Sequence, residues 1–169
     1  MKLTEERWVR VDLDRQRMYV FEADRCIAEW PVSTGLKGAG EYLGSGCTPR
    51  GLHRVRIKIG SGCPENSVFV GRRPSGEIYD AELGASCPDR DWILSRIIWL
   101  TGTQTGCNRG GECDTLRRFI YIHGCPDSEP MGVPLSHGCI RMRNADVIEL
   151  FDLIDAGTRV LINESSADA

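Results

Sequence analysis

Short runs of alternating apolar and polar residues dominate the first third of the chain. The runs "RWVRVDL", "RMYVFEA" and "CIAEWPVS" are rich in Val, Tyr and Phe, and brief polar breaks separate them. Such runs predict β-strands, and their close spacing predicts a meander of two hairpins.

A fourth run, "LHRVRIKI", alternates strictly, which predicts a half-exposed strand with basic residues on its outer face. Its inner face would carry His53, Val55, Ile57 and Ile59. A single histidine on an apolar face fits a hydrogen-bonded core residue better than a metal ligand.

The second half of the chain mixes strand and helix patterns. The apolar density of "DWILSRIIWL" suits a buried strand or a buried helix, and its β-branched Ile97 and Ile98 favour a strand. The run "RRFIYIHG" predicts a strand that ends at a glycine, and "TRVLI" predicts a closing strand.

One helix is predicted, within "RMRNADVIELFDLIDAG". Asn144 would be its N-cap and Gly157 its C′ residue, while Val147, Phe151 and Ile154 share one face. Together the patterns predict a mainly β fold with one clear helix near the C-terminus.

Three long stretches are too rich in Gly, Pro and Cys for regular structure: "TGLKGAGEYLGSGCTPRG", "GSGCPEN" and "TGTQTGCNRGGEC". They predict ordered loops that serve either as binding loops or as surface connectors. None contains the glycine-lysine pattern of a phosphate-binding loop.

Length and charge narrow the range of functions. A chain of 169 residues predicts a single domain over 1–169. A net charge of −3 gives no basic field for nucleic acid, so no nucleic-acid partner is expected.

No run of apolar residues is long enough for a secretory signal or a membrane segment, so the chain as written is expected to be cytoplasmic. Without export, its eight cysteines are expected to be free thiols rather than disulfides.

The tripeptide His-Gly-Cys occurs twice, at 123–125 and 137–139. These two histidines and two cysteines are nominally a zinc-binding set. Structural zinc sites, however, usually present their ligands through short C-x₂₋₄-C and H-x₃₋₅-H segments, and this spacing differs. No metal and no cofactor is therefore predicted.

A nucleophile and its base explain the pair better. A thiol with a pKa near 8.5 is mostly protonated at neutral pH, so a neighbouring base increases its reactivity. His123 ends a predicted strand, and the loop after it can return Cys139 to its side. Gly138 allows a sharp turn, so that the backbone N–H groups of Gly138 and Cys139 can bind the negative charge that develops on an attacked carbonyl.

The stretch "IHGCPDSEPMGVPLSHGCIRM" resembles the signature of the L,D-transpeptidase catalytic domain family, which is also called YkuD-like. The opening strands, the segment "CTPRGLHRVRIKI" and the closing helix and strand are similar as well, so the resemblance covers about residues 7–162. It implies a mixed, β-sandwich-like fold of the YkuD type.

The resemblance also implies residue roles. Cys139 would be the nucleophile, His123 the base and the Gly124 carbonyl the group that orients His123. The oxyanion would be bound by the backbone of Gly138 and Cys139, with His137 as a further candidate. Ser136 would stabilise the turn or contact substrate.

The role of Arg141 stays open, because it could bind a substrate carboxylate, favour the Cys139 thiolate or form a structural ion pair.

The implied reaction acts on stem peptides of peptidoglycan. Cys139 would form a thioester with loss of the terminal D-Ala and pass the acyl group to an amine, giving a 3→3 cross-link. With water as acceptor the enzyme would be an L,D-carboxypeptidase, and a silent or zinc-stabilised binding module is a further alternative.

Two features fit this family less simply. The family implies a location in the cell envelope, for which the sequence shows no leader, and no obligate protein partner is inferred. Cys125 would lie near Cys139 as a bystander or as a partner in thiol exchange, and Cys107 and Cys113 could close a loop under oxidising conditions.

Overall fold

The computed structural model describes residues 6–165. The first three strands are β1 (Arg7–Asp12), β2 (Arg17–Glu22) and β3 (Arg25–Pro31), which form the predicted antiparallel meander. A long loop then leads to β4 (Gly51–Ile59), and a tight hairpin follows as β5 (Ser67–Val70) and β6 (Arg73–Ile78).

The second half contains both helices of the described chain. Helix α1 (Ala81–Ser86) precedes β7 (Ile93–Gly102), and a short 3₁₀ turn (Gly111–Cys113) lies in the loop before β8 (Tyr121–Gly124). Then come β9 (Ile140–Met142), α2 (Asn144–Leu153) and β10 (Arg159–Asn163). The strand predicted for "DWILSRIIWL" is confirmed as β7, whereas α1 and the β5–β6 hairpin were not predicted.

All ten strands of the described residues belong to one sheet. Its order is β3-β2-β1-β10-β4-β7-β5-β6, and β8 pairs with β7 and with β9. Two pairs are parallel, β1 with β10 and β8 with β9. The predicted mainly β class is therefore confirmed. Strand β7 connects the meander side of the sheet to β8, which contains His123, and through β8 to β9, which directly follows Cys139.

The main core joins early and late strands around α2. Residues of β1, β2, β4, β7, β8, β9 and β10 meet the buried face of the helix there. The helix packs against β7 and β8. Val147, Leu150 and Phe151 are buried on that face, so burial of apolar area holds the helix directly behind the two strands nearest His123.

The alternation predicted for β4 is wrong in its second half. His53 and Val55 are buried, but a β-bulge between Val55 and Ile57 shifts the register, and Ile57 is 40% exposed. A bulge adds one residue to one strand and so reverses the faces after it. Lys58 turns inward instead, and its Nζ donates to the carbonyls of Phe151 and Ile154 at the end of α2.

The predicted ends of α2 also differ. Arg143 is the N-cap, and Asn144 is the first helical residue, with its side chain buried elsewhere. The helix ends at Leu153 with Ile154 as an extended C-cap, so Gly157 lies in the following turn and is not the C′ residue. The Gly157 N–H donates to the Val55 carbonyl at 2.7 Å.

Candidate active site

The parallel pair of β8 and β9 brings the two tripeptides together. Ile122 pairs with Ile140 and His123 with Arg141. Both isoleucines are fully buried in the main core. Because side chains alternate along a strand, His123 lies on the opposite face. Cys139 also packs there, against the small cluster that contains Tyr121. His123 in β8 and Cys139, directly before β9, thus lie on one face of the sheet.

The orientation of His123 is set by the carbonyl of the next residue. Nδ1 of His123 lies 2.6 Å from the Gly124 oxygen, and the imidazole is buried. A carbonyl can only accept, so Nδ1 carries the hydrogen and Nε2 of the neutral ring has a free lone pair. Burial lowers the pKa of His123. At neutral pH the ring is therefore an uncharged proton acceptor.

The thiol of Cys139 lies between two backbone groups. Sγ donates to the Phe119 carbonyl at 3.3 Å and accepts from the Tyr121 N–H at 3.3 Å. Burial of the sulphur raises the pKa of Cys139 to about 11, and the Tyr121 N–H acts in the opposite direction. The thiol is therefore protonated at neutral pH, and its attack on a carbonyl requires a base.

Ser136 stabilises the turn before Cys139 with two hydrogen bonds. Its hydroxyl donates to the Cys139 carbonyl at 2.5 Å and accepts from the Gly138 N–H at 3.1 Å. Ser136 is buried, and both hydrogen bonds show that it stabilises the turn, while its contact with substrate stays a prediction. The Gly138 N–H, which was predicted to bind an oxyanion, is directed at Ser136 Oγ in this structure, and its use for an oxyanion stays a prediction.

The backbone N–H groups of His137 and Cys139 remain available for an oxyanion. Within residues 6–165, neither has a hydrogen-bond partner. Gly138, between them, has a φ of 124°, and a Cβ at this position would lie 3.0 Å from the Cys47 carbonyl. A glycine is therefore required here, and the shape of the turn depends on it.

Two further predicted residues meet at Asp91. The guanidinium of Arg141 donates to Asp91 Oδ1 at 3.3 Å and to the Leu135 carbonyl at 3.4 Å, and only 13% of its side chain is exposed. His137 is 81% exposed, with Nδ1 3.6 Å from Asp91 Oδ2. Of the roles considered for Arg141, the structure shows the ion pair.

The four His and Cys side chains of the tripeptides do not converge. Cys125 is buried, and its Sγ donates to the Met142 carbonyl at 3.5 Å, whereas His137 extends into solvent. Burial raises the pKa of Cys125 to about 12. Among residues 6–165, no group of three or more His, Cys, Asp or Glu side chains is arranged to hold a metal ion. All eight cysteines are unpaired.

A buried polar network behind His123 was not predicted from the sequence. Asn144 accepts from Ser95 Oγ at 2.6 Å and donates to the Cys125 carbonyl at 2.9 Å. A Cβ on Gly124 would lie 2.5 Å from Asn144 Oδ1 and 2.6 Å from the Leu94 carbonyl. The network therefore packs directly on the residue whose carbonyl orients His123. The sequence offered only an asparagine at a helix start, which resembles a cap.

The first glycine-rich loop, at residues 34–50, packs against the turn that precedes Cys139. Thr48 Oγ1 donates to the Gly138 carbonyl at 2.8 Å. Arg118 donates to the carbonyls of Cys47 at 2.6 Å and Gly40 at 3.2 Å, which ties the loop to the segment before β8. Such loops were predicted to be either binding loops or surface connectors. This loop lines the candidate site.

Neither helix of the described residues is long and apolar enough to cross a membrane.

Comparison with known sequences agrees with this geometry. The family described as the L,D-transpeptidase catalytic domain, YkuD, matches residues 6–162. A Bacillus subtilis protein named as a candidate L,D-transpeptidase, YqjB, is 47% identical over 119 residues, which are 70% of this chain and 53% of that protein. Another from the same organism, YkuD, is 52% identical over 47 residues, 28% of this chain and 29% of the other. The match thus spans about half of YqjB and less of YkuD.

Solved structures share the fold at low sequence identity. The Enterococcus faecium L,D-transpeptidase, as a cysteine-to-serine mutant, superposes with a TM-score of 0.56 at 20% identity, over 95% of this chain and 51% of that one. Mycobacterium tuberculosis L,D-transpeptidase 3, with a faropenem-derived adduct, gives 0.57 at 18% identity, over 94% and 60%. With the family match over residues 6–162, the chain belongs to the L,D-transpeptidase catalytic domain family.

Proposed function

We propose that the protein is a cysteine acyltransferase that acts on peptidoglycan stem peptides, with Cys139 as nucleophile and His123 as general base. The observation that carries the proposal is the hydrogen bond from His123 Nδ1 to the Gly124 carbonyl. It leaves Nε2 as a proton acceptor on the face that His123 shares with Cys139.

The first step acylates Cys139. The sulphur attacks the carbonyl carbon of the L-centred third residue of a tetrapeptide stem, and the thiol proton moves to His123 Nε2. The backbone N–H of Cys139, assisted by that of His137, binds the oxyanion. When the intermediate collapses, the C–N bond breaks, and the leaving D-Ala amine takes the proton from His123. A thioester remains on Cys139.

The second step releases the acyl group. The neutral amine of a second stem attacks the thioester carbonyl, and its proton passes to His123 Nε2 as the C–N bond forms. The C–S bond then breaks, His123 returns the proton to the Cys139 thiolate, and a 3→3 cross-link remains. Water in place of the amine would give a shortened stem, as in an L,D-carboxypeptidase. Since peptidoglycan lies in the cell envelope, we propose that the protein acts there.

Product analysis by mass spectrometry tests this function. The reduced protein is incubated with a tetrapeptide stem, with and without an amine acceptor. We expect release of D-Ala, and an amide-linked product that needs the amine. The exposed thiol of Cys26 provides a matched control, so Cys26→Ala should keep the activity and Cys139→Ala should lose it. D-Ala release by folded Cys139→Ala would refute the nucleophile, and hydrolysis alone in saturating amine would identify a carboxypeptidase.

A further inference from the structure

An exposed hairpin turn presents an arginine beside the active site. Val70 pairs with Arg73, so Gly71 and Arg72 form the two-residue turn between β5 and β6. Their φ angles are 55° and 65°, as in a type I′ turn. A long side chain such as arginine is uncommon at positive φ, and backbone strain of this kind clusters at functional sites.

Three aromatic side chains hold the guanidinium of Arg72. We call Trp99, Phe119 and Tyr121 the aromatic platform. The guanidinium carbon lies 5.0 Å from the centre of the Phe119 ring and 5.4 Å from that of Trp99. Arg72 Nη1 donates to the Tyr121 hydroxyl at 3.4 Å. Cation–π attraction and this hydrogen bond orient the charge without neutralising it.

The same platform residues contact the nucleophile. The Phe119 carbonyl accepts from Cys139 Sγ, and the Tyr121 N–H donates to it. The side chain of Tyr121 therefore joins the two groups, with the Cys139 sulphur at its backbone end and Arg72 at its hydroxyl end. Phe119 is 49% exposed, so solvent reaches the platform.

Arg72 differs from the other arginines around Cys139. Arg141 is paired with Asp91, and the donors of Arg118 are taken by the carbonyls of Gly40 and Cys47 and by Ser45 Oγ. Among residues 6–165, Arg72 has no ion pair. It is therefore the arginine beside this site whose forked donors remain open to an external carboxylate.

We propose that Arg72 binds the terminal carboxylate of the leaving residue of the donor peptide. This inference rests on the proposed function, in which the leaving group is one amino acid. The distance from the attacking sulphur to the guanidinium has three parts: the attack distance, one residue of peptide and an arginine–carboxylate hydrogen bond. Together they span roughly 10 Å. Tyr121, with its contact to Cys139 Sγ at one end and to Arg72 at the other, covers a comparable distance. Arg72 thus selects donors that end one residue beyond the attacked carbonyl.

Paired substrates test the proposal. The tetrapeptide stem with a free C-terminal carboxylate is compared with its C-terminal amide, and kcat/KM for release of the last residue is measured. The wild type should prefer the acid by about 10- to 100-fold, the range for loss of a charge-assisted hydrogen bond. Arg72→Gln should lose this preference through slower reaction of the acid, with the amide unchanged. Arg73→Gln, the neighbour on the same hairpin, should behave as the wild type.

Two kinetic results would overturn the proposal. One is a wild-type enzyme that does not discriminate between acid and amide. The other is an Arg72→Gln enzyme that loses activity on both substrates alike, which would indicate that Arg72 only supports the platform.

Binding to Cys139→Ala protein separates this inference from the proposed chemistry. Calorimetry with the same two peptides should show tighter binding of the acid, and the added Arg72→Gln change should remove the difference. If the wild type releases no D-Ala but this carboxylate-dependent binding persists, the proposed function fails and the role of Arg72 stands. Equal binding of acid and amide overturns the role of Arg72.

Discussion

Replacement of Asn144 by alanine distinguishes a helix cap from a network residue. If Asn144 were only an N-cap, the change would lower the free energy of unfolding by about 1 kcal/mol. In the structure Asn144 is fully buried, its Oδ1 accepts from Ser95, and its amide donates toward Cys125, Asn66 and Asp127. An amide has two hydrogens, so three hydrogen bonds form at a time.

The expected cost follows from these bonds. At about 1 kcal/mol each, they sum to about 3 kcal/mol, and the polar groups left unpaired in the core add to the loss. The higher helix propensity of alanine offsets less than about 1 kcal/mol. Asn144→Ala should therefore destabilise the fold by about 3 kcal/mol, well above the value for a cap.

Urea unfolding followed by circular dichroism measures this difference. The exposed residue Asp152 on the same helix is the matched control, and Asp152→Ala should change the stability by less than about 0.5 kcal/mol. A loss of 1 kcal/mol or less for Asn144→Ala, at an unchanged m-value, would refute the network role and restore the interpretation as a cap.

Three further predictions concern buried or constrained groups. Burial lowers the pKa of His53 to about 4 from 6.5, so only the unfolded state takes up this proton between these values. The free energy of unfolding of the wild type should therefore fall by about 3 kcal/mol from pH 6.5 to 4 through this group. Urea titrations measure it, and an equal fall in His53→Gln would contradict the assignment. Gly138→Ala should slow acylation at least about tenfold by straining the turn before Cys139. The control Gly132→Ala is also at positive φ, but nothing lies within 4 Å of its Cβ, so its rate should not change. Equal acylation rates of the two variants in a stopped-flow assay would refute this role of Gly138. Iodoacetamide at pH 8 should leave the Cys125 thiol unmodified in native protein and alkylate it in urea, and rapid native labelling by peptide mapping would show that this thiol is not shielded.

Much of this structure is local in origin and could be predicted. The meander, β7 and the helix α2 follow from hydrophobic periodicity. The proposed pairing of His123 with Cys139 follows from two residue types with complementary chemistry. In β1 and β2 the alternation along the sequence matches the buried side chains Val9, Val11, Met18 and Val20.

The incorrect predictions depend on contacts between distant segments. The bulge in β4 comes from its pairing with β7, and it turns Lys58 toward the end of α2. Asn144 meets Ser95 across 49 residues, so a local signal at the helix start could only suggest a cap. Arg72 shows no pattern in the sequence, because its significance comes from Phe119 and Tyr121, which another strand and loop bring beneath it.

The intact mass of the protein after exposure to a carbapenem such as imipenem tests most directly whether Cys139 is the nucleophile. The reduced, folded wild type should gain the mass of one carbapenem molecule, because opening of the β-lactam ring releases no leaving group, and peptide mapping should place the adduct on Cys139. Cys139→Ala should stay unmodified, and His123→Gln should react far more slowly. An unchanged mass in folded wild-type protein, or an adduct that persists in Cys139→Ala, would contradict the assignment.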